Sequence, residues 1–412
     1  MSEWREYRLD EIGQVVGGGT PSSKVNAYWN GDVGWVTPAD LSGYQFKHIG
    51  NGSRDITELG LKKSSAKLHP KNTVLMTSRA PIGYLAIADK PVATNQGFQS
   101  IRCNEDIADF NFIYYLLGAY KEGIALIASG ATFPEVSGGK VRQYKIKLPP
   151  LPTQQKIAKI LSNYDDLIEN NLKRIKLLEE SARLTYEEWF LRFRVDGKRL
   201  EINPESGLPF GWENKSVTEC DTFKQDKRKV KEFEGEKKYY ATANISETEI
   251  IADGEIISWD SKPSRAQIKP NNNTVWFARM SNTYKVLCFN KKNINLQDNS
   301  VLSSGFAGFK AKNDLCLPFL YFTINSTFFH ELKDLYATGA TQVSLNNDSM
   351  SFIKIIEPSA NLAEEFGSRT LPLIEEISIL RSKNQLLKEA RNILLPRLMT
   401  NVIDTDELDI AV

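Results

Sequence analysis

At 412 residues the chain is long enough for about two or three domains of ordinary size. Hydrophobic residues make up 41% and charged residues 25%, a balance that fills real cores and excludes a wholly disordered or collagen-like chain. The 52 basic residues nearly cancel the 51 acidic ones, so bulk charge argues for neither a nucleic-acid nor an anionic-membrane partner, and any polyanion site must be local.

The start Met-Ser-Glu-Trp-Arg lacks the layout of a signal peptide, and no stretch approaches about eighteen consecutive apolar residues. The chain is therefore expected to be soluble and cytoplasmic, with no membrane partner. Cys103, Cys220, Cys288 and Cys316 form no Cys-x-x-Cys pair, and His48, His69 and His330 are isolated. This spacing predicts neither a metal site nor a disulfide, and suits a reducing compartment where free cysteines pack as small hydrophobes.

In chain order, residues 1–148 mix short β-branched and aromatic runs with Gly, Pro and Asn breaks. Gly34-Trp35-Val36-Thr37-Pro38 and Thr73-Val74-Leu75-Met76-Thr77 read as strands, and 112–127 carries helical spacing. Gly17-Gly18-Gly19-Thr20-Pro21-Ser22 reads as a strand-ending turn, since no Lys-Ser/Thr follows at the spacing of a phosphate loop. Between Lys47 and Lys90 the basic residues, Lys47, Arg54, Lys62, Lys63, Lys67, Lys71, Arg79 and Lys90, outnumber the acidic ones and form a patch able to meet phosphate.

After Leu148-Pro149-Pro150-Leu151-Pro152, proline and glycine vanish until about residue 194, which predicts a long helix with Thr153 as N-cap. Its apolar seam, Ile157, Leu161, Tyr164, Ile168, Asn171, Ile175, Leu178, Ala182, Thr185 and Trp189, alternates steps of four and three. A helix of about 36 residues would be about 54 Å long, more than one globule needs.

The second half repeats the first. Ser129-Gly130-Ala131-Thr132 returns as Thr338-Gly339-Ala340-Thr341 at a displacement of 209, Gly97-Phe98 as Gly305-Phe306 at 208, and Asn72-Thr73-Val74 as Asn273-Thr274-Val275 at 201. Collinear matches of this kind point to duplication. The seam recurs in phase as Leu373, Ile377, Leu380, Asn384, Leu387, Arg391, Leu394 and Leu398. The helices either pack on their own globules or meet each other. An antiparallel pairing relates the halves by a pseudo-twofold axis, and if Asn171 faces Asn384, Ile157 comes near Leu398 and Trp189 near Phe366.

The expected fold class is α+β: two tandem α/β domains separated by two long helices forming an antiparallel coiled coil. The divisions are 1–148, a helix at 149–200, a second domain at 201–357, a helix at 358–400 and a tail at 401–412. No Gly-x-Ser-x-Gly elbow, metal-ligand spacing or Asn-Pro-Pro-Tyr segment is present, so an enzymatic reading has no visible apparatus.

Several segments resemble a known family. The run Leu148-Pro149-Pro150-Leu151-Pro152-Thr153-Gln154-Gln155-Lys156-Ile157-Ala158-Lys159-Ile160-Leu161 is similar to the central conserved region of Type I restriction-modification specificity subunits. Gly18-Gly19-Thr20-Pro21, Trp35-Val36-Thr37-Pro38-Ala39-Asp40-Leu41, Ser78-Arg79-Ala80-Pro81-Ile82-Gly83 and Asn95-Gln96-Gly97-Phe98 resemble the first target recognition domain. Leu386-Leu387-Lys388-Glu389-Ala390-Arg391 with Leu394-Leu395-Pro396-Arg397-Leu398 resembles the distal conserved region. The second domain departs from the pattern: Arg279 stands near the place of Arg79, Met280-Ser281-Asn282 replaces Ala80-Pro81-Ile82, and no Gly-Gly-Thr-Pro follows Trp212.

The resemblance implies a non-catalytic subunit whose two target recognition domains each read half of an asymmetric, bipartite site in double-stranded DNA. The helices would dock two methyltransferase subunits and set the half-site spacing. No cofactor is expected in this chain; S-adenosylmethionine would belong to the methyltransferase partners, and ATP and Mg to a restriction subunit acting as motor. The candidate DNA contacts are Lys62, Lys63, Arg79 and Gln96 in the first domain and Arg228, Lys262, Arg265 and Arg279 in the second, because arginine and amide side chains read base edges and lysine meets phosphate. Two other classes stay open, a related bipartite-cutting system of Type IIB kind and a standalone DNA-binding scaffold.

Overall fold

The computed structural model describes residues 3–403 except 131, 133 and 341. Ala131 and Thr341 of the repeated segments, and the expected tail beyond residue 403, lie outside the described residues. The chain forms two compact units, one running to Asn170 and resuming at Asn384, the other spanning Asn171–Lys383. The expected boundaries at 148 and 357 coincide with the ends of strands Lys145–Leu148 and Lys354–Glu357. Packing draws the line elsewhere, because each unit takes in part of both long helices.

In the first unit a five-stranded sheet has the order Gly13–Gly17, Gln99–Cys103, Val74–Ser78, Ile82–Ala88 and His48–Ile49. Val74–Ser78 lies at its centre and is buried along its whole length, as an uninterrupted run of Val, Leu, Met, Thr and Ser allows. A three-stranded sheet of Trp29–Val36, Val92–Thr94 and Leu68–His69 contains a parallel pair. The predicted helix at 112–127 is split into Phe110–Ala119 and Lys121–Leu126, the former capped by Asp109, which accepts from Phe112 N at 2.8 Å.

The second unit repeats this framework. Its sheets run Phe223–Asp226, Phe306–Ala311, Thr274–Ala278, Val286–Phe289 and Glu255–Ile257, Lys237–Tyr240, Ser300–Ser303, Ala266–Ile268. The registers correspond: Val74 opposes Ile101 as Val275 opposes Phe309, and Trp35 pairs Ala93 as Tyr239 pairs Val301. The displacements are those of the sequence repeat, 201 on the Val74 strand and 208 on the Ile101 strand. Asn72 and Asn273 both adopt positive φ, 68° and 61°, which Asn tolerates better than most residues.

The first long helix covers Leu151–Tyr186 and continues as a π-helical turn over Glu187–Leu191; the second covers Ala360–Met399. Thr153 is not the N-cap. The helix starts two residues earlier, and Thr153 N and Gln154 N already donate to Pro150 O at 2.9 and 3.1 Å. Pro152 is tolerated there because a first-turn N–H needs no partner.

Ile157, Leu161, Ile168 and Ile175 of the first seam, and Leu380 and Asn384 of the second, are buried. Asn171, Leu178, Leu387 and Leu394 are half-buried. Within the first unit, Leu398 shares a core with Ile157 and Leu161, Arg391 bonds Asp165, and Asn384 Nδ2 donates to Ile168 O at 3.4 Å. Within the second, Ile175 packs with Ile377 and Leu380, and the Trp189 and Phe366 rings lie 5.8 Å apart. In both units, rising numbers on one helix meet falling numbers on the other. No described helix is long and apolar enough to cross a membrane.

Candidate nucleic-acid interface

In the first unit, the loops that leave Gly13–Gly17, Trp29–Val36, Val74–Ser78 and Val92–Thr94 are tied into one cluster. Trp35 Nε1 donates to Gly19 O at 3.0 Å, Gly19 N to Thr94 O at 2.9 Å, Asn95 N to Val36 O at 3.0 Å and Ser78 N to Gly97 O at 2.7 Å. A Cβ on Gly18 would strike Asn95 O, so glycine is required for the loops to touch. Asp40 closes its own turn, accepting from Thr37 N and Ser53 N at 2.8 Å each. Burial alone would raise its carboxyl, but the donors on Thr37 and Ser53 hold it below the ordinary carboxylate range. These motif residues are framework.

The expected contact residues sit on that framework. Arg79 is half-exposed with its guanidinium 3.5 Å from Glu135, and its stem lies against Gly97. Gln96 is exposed and accepts from Thr20 Oγ1. Lys62 and Lys63 are exposed at the end of the short helix Glu58–Lys62, and the chain just beyond them, at Ser65 and Ala66, abuts Gly19. The structure thus brings the four first-domain residues to one loop cluster.

Lys47 does not belong to the expected basic patch. It is only 6% exposed, its Nζ donates to Ser162 Oγ at 2.9 Å, and it lies 5.9 Å from the centroid of the Tyr115 ring. Burial lowers this ammonium from its ordinary value, while Asp166, Asp165 and Glu169 pull it back up. The acids that compensate it are far away in sequence.

The second unit builds a related cluster with different side chains, in which Lys229 bridges Ile268 where Gly19 meets Thr94 in the first. Ser304 N donates to Arg265 O at 2.8 Å and Arg279 N to Gly305 O at 2.9 Å. Arg279 is not the counterpart of Arg79. Arg79 bridges Glu135 as Met280 bridges Ser344, and Ser78 N meets Gly97 O as Arg279 N meets Gly305 O, so Arg79 corresponds to Met280 and Ser78 to Arg279. The Arg279 guanidinium is committed internally, with Nε on Phe306 O at 3.0 Å, Nη1 on Leu345 O at 3.1 Å and Nη2 on Asn347 Oδ1 at 2.8 Å.

Of the other second-domain candidates, Arg228 forks onto the buried carboxylate of Asp226, with Nε 3.0 Å from Oδ1. Lys262 lies 4.8 Å from the centroid of the Trp259 ring. Arg265 is exposed, and like Lys62 and Lys63 it makes no side-chain ion pair among the described residues. Among the described residues no group of three or more His, Cys, Asp and Glu side chains is placed to hold a metal ion. The four cysteines are free, Cys220 and Cys316 buried, Cys103 and Cys288 half-buried.

A family model described as "Type I restriction modification DNA specificity domain" matches residues 1–180. The Type I restriction enzyme MjaIX specificity subunit of Methanocaldococcus jannaschii is 31% identical, covering 98% of this chain and 95% of its own length. The chain belongs to the Type I restriction enzyme specificity subunits. The HindI specificity subunit of Haemophilus influenzae is 25% identical over 98% of this chain and 100% of its own. A crystal structure of the Type-I restriction-modification system S subunit from M. genitalium superposes with a TM-score of 0.59, covering 96% of each chain at 15% identity, and so shares the fold.

In this specificity subunit Thr20, quoted only as part of a motif, bonds Gln96, and the polar side chains that the sequence did not single out are Glu135, Gln225 and Asn347. Gln225 Nε2 lies 3.4 Å from Asn347 Oδ1, which also holds Arg279. Gln225 pairs with Phe309 as Val15 pairs with Ile101, so its counterpart in the first domain is apolar and gave no sequence signal for it. Nor was Asn347 marked, because nothing local distinguishes a loop amide that serves a residue 68 positions away.

Proposed function

We propose that this specificity subunit reads a split, asymmetric site in double-stranded DNA, each loop cluster addressing one half. The observation that carries the reading is one backbone framework used twice with different polar side chains. Where the first cluster presents Arg79, Gln96 and Thr20, the second presents Met280, Ser304 and a loop bearing Arg228. A shared scaffold with unlike readers suits two unlike half-sites.

The long helices are the spacer in this reading, with the buried amide of Asn384, donating to Ile168 O, helping to set register. They also offer the docking surface for two methyltransferase subunits. Methylation then comes from S-adenosylmethionine on those partners, and cleavage from a restriction subunit using ATP and Mg, in the cytoplasm. The present chain contributes no catalytic group of its own. Partners that surround the duplex supply phosphate contacts, which suits a near-neutral subunit.

Methylated-base sequencing of a host with and without this gene tests the reading. It predicts a motif of two unlike half-sites separated by a constant unread gap, present only with the gene. A continuous motif, or methylation indifferent to the gene, contradicts it.

A further inference from the structure

In each unit the globule and both long helices meet at one polar node. In the first, Asp165 of the first helix accepts from Tyr115 Oη of Phe110–Ala119 and from Arg391 of the second helix. Beside it, Lys47 Nζ donates to Ser162 Oγ at 2.9 Å and Lys388 Nζ to Gln45 Oε1 at 3.2 Å. In the second, Glu179 of the first helix accepts from Arg381 Nη2 of the second at 2.6 Å and from Thr248 Oγ1 at 3.4 Å, and the same Nη2 donates to Thr248 Oγ1 at 2.7 Å.

Both nodes have the same three parts: a carboxylate from the first helix, an arginine from the second and a hydroxyl from the globule. The duplication does not explain this. Displaced by the 209 residues of the repeat, Asp165 falls on Ile374 and Arg391 on Ala182, both apolar, while Arg381 falls on Leu172 and Glu179 on Lys388, the residue that bonds Gln45. The two carboxylate–arginine pairs therefore stand at different positions of the repeat.

Apolar packing is nearly non-directional, so a globule resting on helices through apolar contacts alone can rock without much loss. Charge-assisted hydrogen bonds hold narrow distances and angles, and partly buried ones resist screening. Asp165 is 11% exposed and Arg391 27%, against 31% for Glu179 and 24% for Arg381, so these are not loose surface pairs. Polar groups buried at such contacts are best attested as devices that fix one register.

We infer that Tyr115, Asp165 and Arg391, and likewise Thr248, Glu179 and Arg381, are positioning residues that fix the angle between each globule and the helices and so the number of base pairs between half-sites. The inference rests on the proposed split-site reading. A merely structural role would weaken methylation at every site alike, whereas an angular role changes the accepted gap and leaves the half-site bases alone.

The test uses the full-length chain in complex with its methyltransferase partner, as wild type and with Tyr115→Phe, Thr248→Val or Asp165→Asn. Each complex acts on DNA whose gap is varied by one or two base pairs, and methylated sites are sequenced. The variants are expected to keep the half-site bases and to methylate off-length gaps about tenfold more, relative to the native gap, than wild type does. Tyr115→Phe removes a single hydroxyl, and a thermal melt checks that it folds. A gap preference unchanged to within about twofold in folded variants overturns the inference, as does a uniform loss at all gaps. A wild-type complex with no split motif overturns the split-site reading itself, and the two failures are thereby distinct.

Discussion

Arg79 and Arg279 look alike in sequence and do different things. Arg79 is half-exposed with one long contact to Glu135, whereas Arg279 spends its guanidinium on two carbonyls and an amide of its own unit. Arg79→Ala is expected to cost about 1–3 kcal/mol of DNA affinity and to relax one base of one half-site, read by competition binding at fixed salt. Arg279→Ala is expected to cost about 2 kcal/mol of folding stability in denaturant titration, because buried acceptors are left without donors. Lys62→Ala, Lys63→Ala and Arg265→Ala should each leave stability within about 0.5 kcal/mol and reduce the slope of log affinity against log salt by about one. The mispairing of the two arginines was avoidable: the displacement of 201 on that strand leads from Arg79 to Met280, and only the shared side-chain type suggested otherwise. The burial of Lys47 was not legible, because the acids that surround it come from a helix more than a hundred residues downstream. Two imidazoles give the pH dependence. Burial lowers both His69 and His330 to about 4, so each stays neutral when folded and takes a proton near 6.5 when unfolded. Between those values the unfolded chain binds more protons at these two positions, so their contribution makes stability fall as pH drops from about 6.5 toward 4, and below that the loss at carboxyls such as Asp40, held under the ordinary range, adds to it. Denaturation at stepped pH should show this fall, and His69→Asn should make it shallower.

At the scale of elements, the long helices were the most legible feature, since a stripe of fours and threes without Gly or Pro has few other readings. Their buried positions coincide with the seam at Ile157, Leu161, Ile168, Ile175, Ile377, Leu380 and Asn384. The N-cap was misplaced by three residues, at Thr153 and not Pro150, because a proline reads as a helix breaker, although it is harmless in the first turn. The purpose of the motif around that start became visible only in the fold. Gln154 is 1% exposed; its Oε1 accepts from Asp109 N at 3.0 Å and its Nε2 donates to Ile107 O and Pro149 O at 2.9 and 3.0 Å. One amide thus ties the helix start to the cap of helix Phe110–Ala119. Gln154→Ala is expected to destabilise the protein by about 2–3 kcal/mol, measured by urea unfolding, because it orphans a buried donor and two acceptors.

For the molecule as a whole, duplication was readable from a handful of collinear matches, and the paired registers of the sheets follow the same displacements. The packing units were not readable, because a linear division cannot show that each globule gathers part of both helices. The second loop cluster was also hidden, since Lys227, Arg228 and Lys229 stand where Gly17, Gly18 and Gly19 do, and Lys229 bridges Ile268 where Gly19 meets Thr94. The central claim is that the two clusters read independently. Methylated-base sequencing of a host carrying the complex with Arg79→Ala and Gln96→Ala tests it most directly. The account predicts that one half of the split motif loses base preference while the other half and the gap stay as they were. Loss of preference in both halves together, or in neither, would contradict it.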